Sequence, residues 1–599
     1  MNMPRLALAV AATVVLAGCA SVPPSSPSTA MATRFESVRV SEHRGSDDLL
    51  TAGLGLAGLR AMTPPVFADA TAPTPAELRR RAVWANWRGI ADLAPGGGYG
   101  ELYGSVTAVP GREFHGLARV PGATQPHRVA VQVPDAFDQT ARCIVVAPAS
   151  GSRGVLGGIA VAAAWALPKG CAVAYTDKGA GTDYFDLDAG LGVRVDGTVG
   201  TPADGLAFVP EPATGSGIAV KHAHSGDNPE ADWGRHVKQA AEFALQSLGD
   251  AFPDAAPFAF DNTTVIAVGI SNGGGAVLRA AEEDGSDWLD AVVAGAPNIT
   301  VAGARPLYDY TTEAALLMPC ALPVLGIPPL PTAAAHCAAL ADAGLVDGGT
   351  LESRQRSAYD TLRASGWTDE ALRAGSISVG FDLWRAVAVT YASAYGRHGV
   401  GGHPCGYSFS VLAADGTPRP AADAERAAWF SDASGIPPGA GVGIVGPAVD
   451  PAAPLAGLQC LRALWTGQGA DADRVRAGVE AVRAGLPRAG LPVTVVHGLD
   501  DGLIPSAFSS APYVAAARAA GRDNVHHWQV RNVQHFDAFL GLPAYGAHYL
   551  PLLPYVYEAL DRTWAHLRHG DPMPADAVIT TTPRGAGNAL EATHLAMPR

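Results

Sequence analysis

The sequence has few charged residues and no excess of positive ones. Charged side chains make up 16% of its 599 residues, and 56 Asp and Glu against 42 Lys and Arg give a formal net charge of -14. A surface of this sign repels phosphate groups, and no basic stripe offsets it, so the composition argues against nucleic-acid binding. We therefore expect a neutral substrate, or one that reaches its site without long-range attraction.

Several motifs are also missing. No two cysteines have the CxxC spacing of a structural zinc site. The glycine-rich runs at 96–100 and 272–276 lack the Lys-Ser/Thr pair of a phosphate-binding loop. There is no internal repeat of the solenoid type. With 48% apolar residues, the chain has the composition of a well-packed globular protein, and its length predicts a catalytic domain with insertions.

The first residues have the pattern of an export signal. Arg5 is followed by an apolar stretch, residues 6–18, that is too short for an ordinary membrane span. The sequence LAGC at 16–19 resembles the lipobox of bacterial lipoproteins. This resemblance implies cleavage before Cys19 and a lipid on its thiol, and Ala20 in the next position favours the outer membrane. A plain secretory signal, with a periplasmic or secreted product, is the alternative.

Six further cysteines follow Cys19. An even number in an exported protein permits disulfide bonds. Six cysteines allow many pairings, however, and the sequence does not choose among them. They are Cys143, Cys171, Cys320, Cys337, Cys405 and Cys460.

Short strand-like segments alternate with helical ones from about residue 100. The segments at 128–134, 142–148 and 171–177 are rich in β-branched residues and end in turn residues. The run at 263–270 is continuously apolar, which is typical of a strand buried on both faces of a parallel sheet. This alternation predicts an α/β fold with a mostly parallel sheet flanked by helices.

The alternation stops after about residue 300, where helical candidates interrupted by proline and glycine follow. Strand-like segments return at 491–498 and 524–530. We interpret the interval as an all-helical insertion, the position of a cap over an active site, with a separate docked domain as the alternative. The predicted divisions are 1–18, a signal peptide; 19–100, a tether and N-terminal extension; 101–299, the first part of the catalytic core; 300–485, the helical cap; 486–570, the second part of the core; and 571–599, a poorly ordered C-terminal tail.

The strongest chemical signal is Gly269-Ile270-Ser271-Asn272-Gly273, directly after an apolar strand and before a helix. A serine hydroxyl is a weak nucleophile that needs exposure, a base and donors for the oxyanion. A sharp turn between strand and helix provides the exposure. The motif predicts Ser271 as the nucleophile of an α/β-hydrolase-type serine esterase, with the N–H of Asn272 as one oxyanion donor.

The acid should follow the nucleophile in the chain, and the histidine should follow the acid. The run VTVVHGLDDGLIP at 493–505 is an apolar strand followed by a loop with two carboxylates. It resembles the HGxxDxxVP pattern of α/β-hydrolases, which places the acid at Asp501. Asp500 is the competing candidate, with a loop or capping role as its other interpretation.

The base is predicted at His535, in the run RNVQHFDAF at 531–539 that follows the next strand. Its Nε2 could face Ser271 while its Nδ1–H faces Asp501. A set of this kind needs neither a metal ion nor an organic cofactor.

A second oxyanion donor is expected from the loop after the strand that ends at Pro148. The loop reads Ala149-Ser150-Gly151-Ser152, and its small residues let backbone N–H groups turn toward the site. Ser150 or Gly151 is the candidate, although the loop departs from the HGGG form. Either serine of the loop could also be a second nucleophile, but neither has the strand-to-helix context.

A pair of histidines and a set of four aspartates have structural, not catalytic, interpretations. His222 and His224 lack a third ligand at metalloprotease spacing, so we expect no metal site. Four aspartates are interpreted as solvated loop carboxylates because they lack the pattern of a calcium-binding loop. They are Asp177, Asp183, Asp186 and Asp188.

Five long segments on both sides of the cap carry a more specific resemblance. They are APASGSRG (147–154), GCAVAYTDKGAGTDYFDL (170–187), KHAHSGDNPEADWG (221–234), GISNGGGAVLRAAE (269–282) and NVQHFDAFLG (532–541). In these segments, which span about 140–560, the chain resembles the D-(-)-3-hydroxybutyrate oligomer hydrolases. The resemblance implies a serine carboxylesterase that cleaves short hydroxybutyrate esters to monomers, downstream of a polyhydroxybutyrate depolymerase. It also places the active-site serine at Ser271.

Two alternatives share many of these features. One is a tannase-like or feruloyl-type carboxylesterase with the same triad. The other is a non-catalytic surface lipoprotein that binds polymer on a hydrolase scaffold, which an intact Ser, Asp and His set in the right order disfavours. The partner expected from the sequence is a small ester oligomer, with a membrane contacted through the lipid anchor, and the oligomeric state is not predicted.

Overall fold

The structure is a computed structural model that describes Met1 and residues 34–598. The predicted signal peptide and Cys19 lie outside the described residues. The strands are β1 (Phe35–His43), β2 (Gly111–Ala118), β3 (His127–Pro134), β4 (Cys143–Pro148), β5 (Ala172–Thr176), β6 (Tyr184–Asp186), β7 (Leu191–Val193), β8 (Val199–Gly200), β9 (Ile218–Val220), β10 (Thr264–Ile270), β11 (Ala291–Gly295), β12 (Ser408–Leu412), β13 (Pro418–Arg419), β14 (Val442–Val445), β15 (Val493–Gly498), β16 (Val525–Val530) and β17 (Ala577–Ile579).

Helices cover both faces of the main sheet and build most of the cap. They are α1 (Gly55–Arg60), α2 (Pro75–Arg88), α3 (Ile159–Ala166), α4 (Lys221–His224), α5 (Trp233–Ala251), α6 (Asn272–Glu282), α7 (Leu307–Ala321), α8 (Ala333–Asp342), α9 (Leu351–Ala364), α10 (Asp369–Gly380), α11 (Leu383–Gly396), α12 (Asp423–Asp432), α13 (Ala456–Thr466), α14 (Ala470–Ala481), α15 (Ser510–Ala519), α16 (Pro543–His548) and α17 (Leu553–His569). Within the described part of the chain, none of them has the length and hydropathy of a membrane span.

The main sheet has the strand order β1-β2-β3-β5-β4-β10-β11-β15-β16-β17. All neighbours from β5 to β17 are parallel, and β1, β2 and β3 extend the sheet in antiparallel fashion. A parallel sheet needs crossover connections, which the helices between its strands supply. The mostly parallel α/β sheet predicted from the sequence is confirmed.

Strand β10 is buried on both faces, as its uninterrupted apolar sequence predicts. Val265 and Ala267 pack with α5 and α6 on one side, whereas Ile266 and Val268 pack with α3 and α17 on the other. Side chains alternate between the faces of a strand, so a strand covered by helices on both faces must be apolar throughout. This packing fixes the end of β10, where Ser271 follows.

Both ends of the sheet differ from the sequence prediction. In the segment expected to be a tether and extension, β1 pairs with β2, and α1 and α2 follow. The expectation of a poorly ordered tail is wrong, because Ala577 and Ile579 of β17 pair with Trp528 and Val530 of β16. A segment of three strand residues between loops gives too weak a pattern to be recognised without its neighbour strand.

The cap is mostly, but not entirely, helical. It comprises α7 to α14 and a small sheet of order β13-β12-β14, which corrects the prediction of an all-helical insertion. Its two ends lie side by side, because the N–H of Ala484 donates to the carbonyl of Thr300 at 2.8 Å. The guanidinium of Arg483 likewise donates to the carbonyl of Val301 at 2.8 Å. The cap has an apolar cluster built around α7 and α11, which also includes residues outside the cap, among them Tyr184, Ile218 and Phe508.

The six cysteines form three disulfides. Cys143–Cys171 joins β4 to the residue before β5, Cys320–Cys337 joins α7 to α8, and Cys405–Cys460 joins the loop before β12 to α13. Two of the three bonds lie in the cap. Sequence could not choose this pairing, because each bond depends on contacts between segments that are distant in the chain.

We expect the Cys405→Ser/Cys460→Ser double variant to be less stable than the corresponding Cys320→Ser/Cys337→Ser variant. The first bond closes a separation of 55 residues and the second one of 17. The chain-entropy relation then gives losses of about 4 and about 3 kcal/mol in the free energy of unfolding. Thermal unfolding of both variants and of the parent chain under the same conditions measures the order, and the reverse order would contradict the argument.

Candidate active site

Ser271 lies in a sharp turn between β10 and α6. Its backbone has φ +61° and ψ -124°, in a region that residues with a side chain rarely adopt. The flanking glycines make the turn possible: a Cβ on Gly269 would lie 2.3 Å from the Gly273 carbonyl carbon, and one on Gly273 would lie 2.6 Å from the Pro148 oxygen. The N–H of Ser271 donates to the carbonyl of Gly295 at 3.0 Å, which secures the strained residue.

The structure brings the three predicted catalytic side chains together. His535 Nε2 lies 2.9 Å from Ser271 Oγ, and its Nδ1 lies 2.7 Å from Asp501 Oδ2. All three side chains are buried, with Ser271 6% and His535 8% exposed. In this geometry a proton on Nδ1 is donated to the carboxylate, which leaves Nε2 free to accept the serine proton.

Asp501 is held as a carboxylate by its surroundings. Burial opposes ionisation, but the charge of His535 and hydrogen bonds from His497 and His535 lower its pKa well below the usual range. Its Oδ1 also accepts the N–H groups of Leu503 at 2.9 Å and Ile504 at 2.7 Å. These contacts orient the carboxylate toward His535.

Asp500, the competing candidate, is not part of this hydrogen-bond network. Among the described residues its side chain makes no hydrogen bond or ion pair with His535, and burial raises the pKa of its carboxyl to about 6. Of the two neighbouring carboxylates, the structure therefore places Asp501 against the histidine.

Two backbone N–H groups from residues that line the same cavity as Ser271 have no protein acceptor among the described residues. The N–H of Asn272 is at the first position of α6, where no intrahelical acceptor exists. The N–H of Ser150 is directed to the carbonyl of Gly157 at 3.4 Å, whereas that of Gly151 has no protein acceptor among the described residues. Of the two candidates predicted in this loop, Gly151 is therefore the better placed donor.

A lysine that the sequence analysis missed orients the same loop. Lys178 is buried, and its ammonium donates to the carbonyls of Ala149 at 2.5 Å and Gly151 at 3.1 Å. Burial lowers the pKa of Lys178 to about 8. The carbonyls of Ala149 and Gly151 share their peptides with the N–H groups of Ser150 and Ser152, so these two N–H groups point away from the lysine.

A second buried network fixes the end of this loop. His222 Nδ1 lies 3.0 Å from Ser152 Oγ, and its Nε2 lies 2.7 Å from a Glu230 oxygen. The carbonyl of Ser152 accepts the N–H of Gly435 in the cap at 2.8 Å. A Cβ on Gly435 would lie 1.9 Å from Ser152 Oγ, so the backbone of the cap packs directly against this serine.

The aspartates expected to be solvated are mostly buried, so that prediction is wrong for three of the four. Asp177 and Asp183 share the ammonium of buried Lys221, at 2.9 and 3.2 Å. Asp186 is paired with Arg426 of the cap at 2.7 Å. Only Asp188 is exposed. The cations that pair with these carboxylates lie far away in the chain, so no local pattern reveals them.

His222 and His224, for which the sequence predicts no metal site, both make other contacts. The first is engaged with Ser152 and Glu230, and His224 Nδ1 accepts the N–H of Val220 at 3.0 Å. In the described part of the chain, no group of three or more His, Cys, Asp or Glu residues is arranged to hold a metal ion.

A cavity of about 640 Å³ opens in front of Ser271. The cap and the loop after His535 give it apolar walls, which include Leu383, Val387, Ile436 and Phe536. Residues 88–90, from the segment predicted to be only an extension, also line it. The cavity is thus large enough for a small organic ester and mostly apolar, as ligand sites commonly are.

Asp537 lines the same cavity, and its carboxylate accepts the N–H groups of Leu552 and Leu553 just before and at the start of α17. Burial raises its pKa to about 7 even though these hydrogen bonds lower it. The folded state therefore binds more protons than the unfolded chain, and this residue's contribution to stability falls as pH rises from about 4 to about 7.

As the pH rises from about 5 to about 8, we expect the thermal midpoint of the parent chain to decrease relative to that of Asp537→Asn. The amide cannot ionise, so the variant lacks this part of the pH dependence. Thermal unfolding of both proteins at the two pH values measures the difference. A difference that does not change with pH would contradict the assignment of the raised pKa to Asp537.

A family model and individual relatives identify the same protein family. A family model described as 3HB-oligomer hydrolase (3HBOH) matches residues 15–598. A protein of Paracidovorax citrulli (strain AAC00-1) named D-(-)-3-hydroxybutyrate oligomer hydrolase is 39% identical, over 92% of this chain and 90% of its own length. A protein of the same name from Burkholderia vietnamiensis (strain G4 / LMG 22486) is 38% identical, over 93% of this chain and 91% of its own.

Comparison with solved structures finds esterases of low sequence identity to this chain. An esterase from Aspergillus oryzae has a TM-score of 0.33 and 11% identity, covering 81% of this chain and 85% of that protein. The tannin acyl hydrolase from Aspergillus niger has a TM-score of 0.36 and 11% identity, covering 78% of this chain and 80% of that protein.

Proposed function

Because the chain belongs to the 3HB-oligomer hydrolase family, we propose that it cleaves D-(-)-3-hydroxybutyrate oligomers to monomers through an acyl-enzyme on Ser271. It is a carboxylic ester hydrolase of the α/β-hydrolase fold that acts on hydroxybutyrate oligomers. The observation that carries the proposed mechanism is the continuous contact from Ser271 through His535 to Asp501.

In the first half of the reaction, His535 Nε2 takes the proton from Ser271 Oγ as the oxygen attacks the ester carbonyl. The carbonyl oxygen becomes negative and accepts hydrogen bonds from the N–H groups of Asn272 and Gly151. Asp501 holds the imidazole in position and stabilises its positive charge. His535 then donates the proton to the departing hydroxyl group of the oligomer.

In the second half, water attacks the ester between the acyl group and Ser271. His535 accepts a proton from the water and returns it to Ser271 Oγ, which releases the acyl fragment as a carboxylic acid. Every proton in this scheme moves through His535, so no metal ion or organic cofactor enters it.

The decisive assay measures product lengths from hydroxybutyrate dimer, trimer and polymer with the purified protein. The proposal expects dimer and trimer to be converted to monomer, with the polymer cleaved much more slowly. Aryl esters of gallic and ferulic acid serve as the comparison substrates. Cleavage of the aryl esters without cleavage of the oligomers would favour a tannase-like or feruloyl-type esterase, and no hydrolysis at all would favour a non-catalytic binding protein.

For localisation, we propose an exported lipoprotein anchored in the outer membrane through Cys19. The support is the signal-like segment before it and the LAGC sequence at 16–19. We expect Cys19→Ala to abolish incorporation of radiolabelled palmitate and to release the protein from the membrane fraction. Equal labelling of the variant and the parent chain would contradict this anchor.

A further inference from the structure

Arg153 lies on the wall of the active-site cavity, two residues after Gly151. Two residues span at most about 7 Å, so its backbone is close to the predicted oxyanion donor. Its guanidinium lies against Gly89 and donates to the Gly89 carbonyl at 2.9 Å. A Cβ on Gly89 would lie 2.0 Å from one of the guanidinium nitrogens, so the glycine provides the space in which the group sits.

The guanidinium is only partly buried and has no carboxylate partner among the described residues, in contrast to the buried Arg128 and Arg79. Arg128 is paired with Asp183 at 2.8 Å, and Arg79 with Glu113 at 2.9 Å. The one carboxylate that shares the cavity wall, Asp537, is instead bonded to backbone N–H groups of α17. Burial lowers the pKa of Arg153 to about 10, so it remains positively charged at neutral pH.

A guanidinium carries five N–H donors, and one hydrogen bond to Gly89 leaves most of them free. These free donors lie on the wall of the cavity, where a ligand can reach them. The fork of a guanidinium fits a carboxylate through two parallel hydrogen bonds. The rest of the cavity is mostly apolar, so this end offers a strong and specific position for an anionic group.

We infer that Arg153 binds the terminal carboxylate of the substrate oligomer and thereby orients it in the cavity, an inference that rests on the proposed function. A linear hydroxybutyrate oligomer has one free carboxylate, and this group lies on the alcohol side of every ester bond in the molecule. Binding it at Arg153 places the alcohol fragment there and the acyl fragment toward the apolar walls of the cap. A long polymer has few such ends, so this contact favours short oligomers.

The test compares the hydroxybutyrate trimer with its primary amide, which has the same size but no terminal charge. We expect the parent enzyme to prefer the acid by about 10- to 100-fold in kcat/KM, mainly through KM, since a charged hydrogen-bonded pair is lost with the amide. Arg153→Met should abolish the preference by weakening the acid alone. The ratio of acid to amide cleavage is measured within one preparation of each variant, so a general loss of activity cancels from it.

Arg80→Met is the matched control. Arg80 also donates to one backbone carbonyl, that of Ala52 at 2.9 Å, but lies outside the cavity lining. It should retain the full preference for the acid. Equal cleavage of acid and amide by the parent enzyme would overturn the inference even if Arg153→Met did not fold, and so would a preference retained in Arg153→Met. A parent enzyme that cleaves p-nitrophenyl butyrate but neither trimer would instead overturn the proposed function.

Discussion

Ser271→Ala is expected to lower kcat for the trimer by about 10⁵- to 10⁶-fold, the size of loss seen when a triad nucleophile is removed. Without Oγ no acyl-enzyme forms, and His535 Nε2 loses the partner that lies 2.9 Å away. The oxyanion donors and the cavity remain, so a residual acceleration of about 10³-fold over water is expected. Rates follow from chromatographic measurement of released monomer.

Ser150→Ala is the control for this variant. Ser150 lines the same cavity but does not contact the histidine, so the substitution should change kcat by less than about tenfold. Thermal midpoints of both variants should match that of the parent chain closely. Unchanged trimer hydrolysis by Ser271→Ala would show that the nucleophile is a different residue.

Asp501→Asn should reduce kcat by about 10³- to 10⁴-fold. An amide can donate its N–H to Nδ1, which favours the wrong histidine tautomer and places the proton on Nε2, where the serine proton must go. It also removes the negative charge that stabilises the imidazolium. The loss should fall on kcat more than on KM, because the substrate does not contact this carboxylate.

Asp500→Asn is a control from the adjacent position in the same loop. Its carboxyl is partly buried and does not contact His535, so we expect less than about a tenfold change in kcat. If Asp500→Asn were the more damaging variant, the placement of the acid at Asp501 would be wrong. The pair thus tests the choice that the sequence left open.

The nucleophile, acid and base could be placed from sequence because each follows a strand of the parallel sheet. Such a strand has a recognisable apolar run, and its carboxyl end meets its neighbours at one edge of the sheet. The order Ser271, Asp501, His535 then restricted the assignment further. Their catalytic roles remain predictions, whereas their mutual distances are those that the predictions require.

Features that depend on distant partners could not be predicted in this way. Lys178 is one charged residue among several until the carbonyls of Ala149 and Gly151 are seen to converge on it. Asp183 reads as a loop carboxylate until Arg128 and Lys221 are found beside it. The disulfide pairing and the short β17 fail for the same reason, since neither leaves a periodic trace in the local sequence.

The hydrogen bonds between the two ends of the cap have a consequence for protein engineering. Thr300 and Ala484 are already neighbours, so a different segment with similarly close ends could replace residues 301–483 without moving β11 or β15. Exchange at this junction between homologous enzymes would transfer the apolar walls that the cap contributes while retaining the nucleophile, the base and Arg153. Substrate range and chemistry could thus be recombined as separate modules.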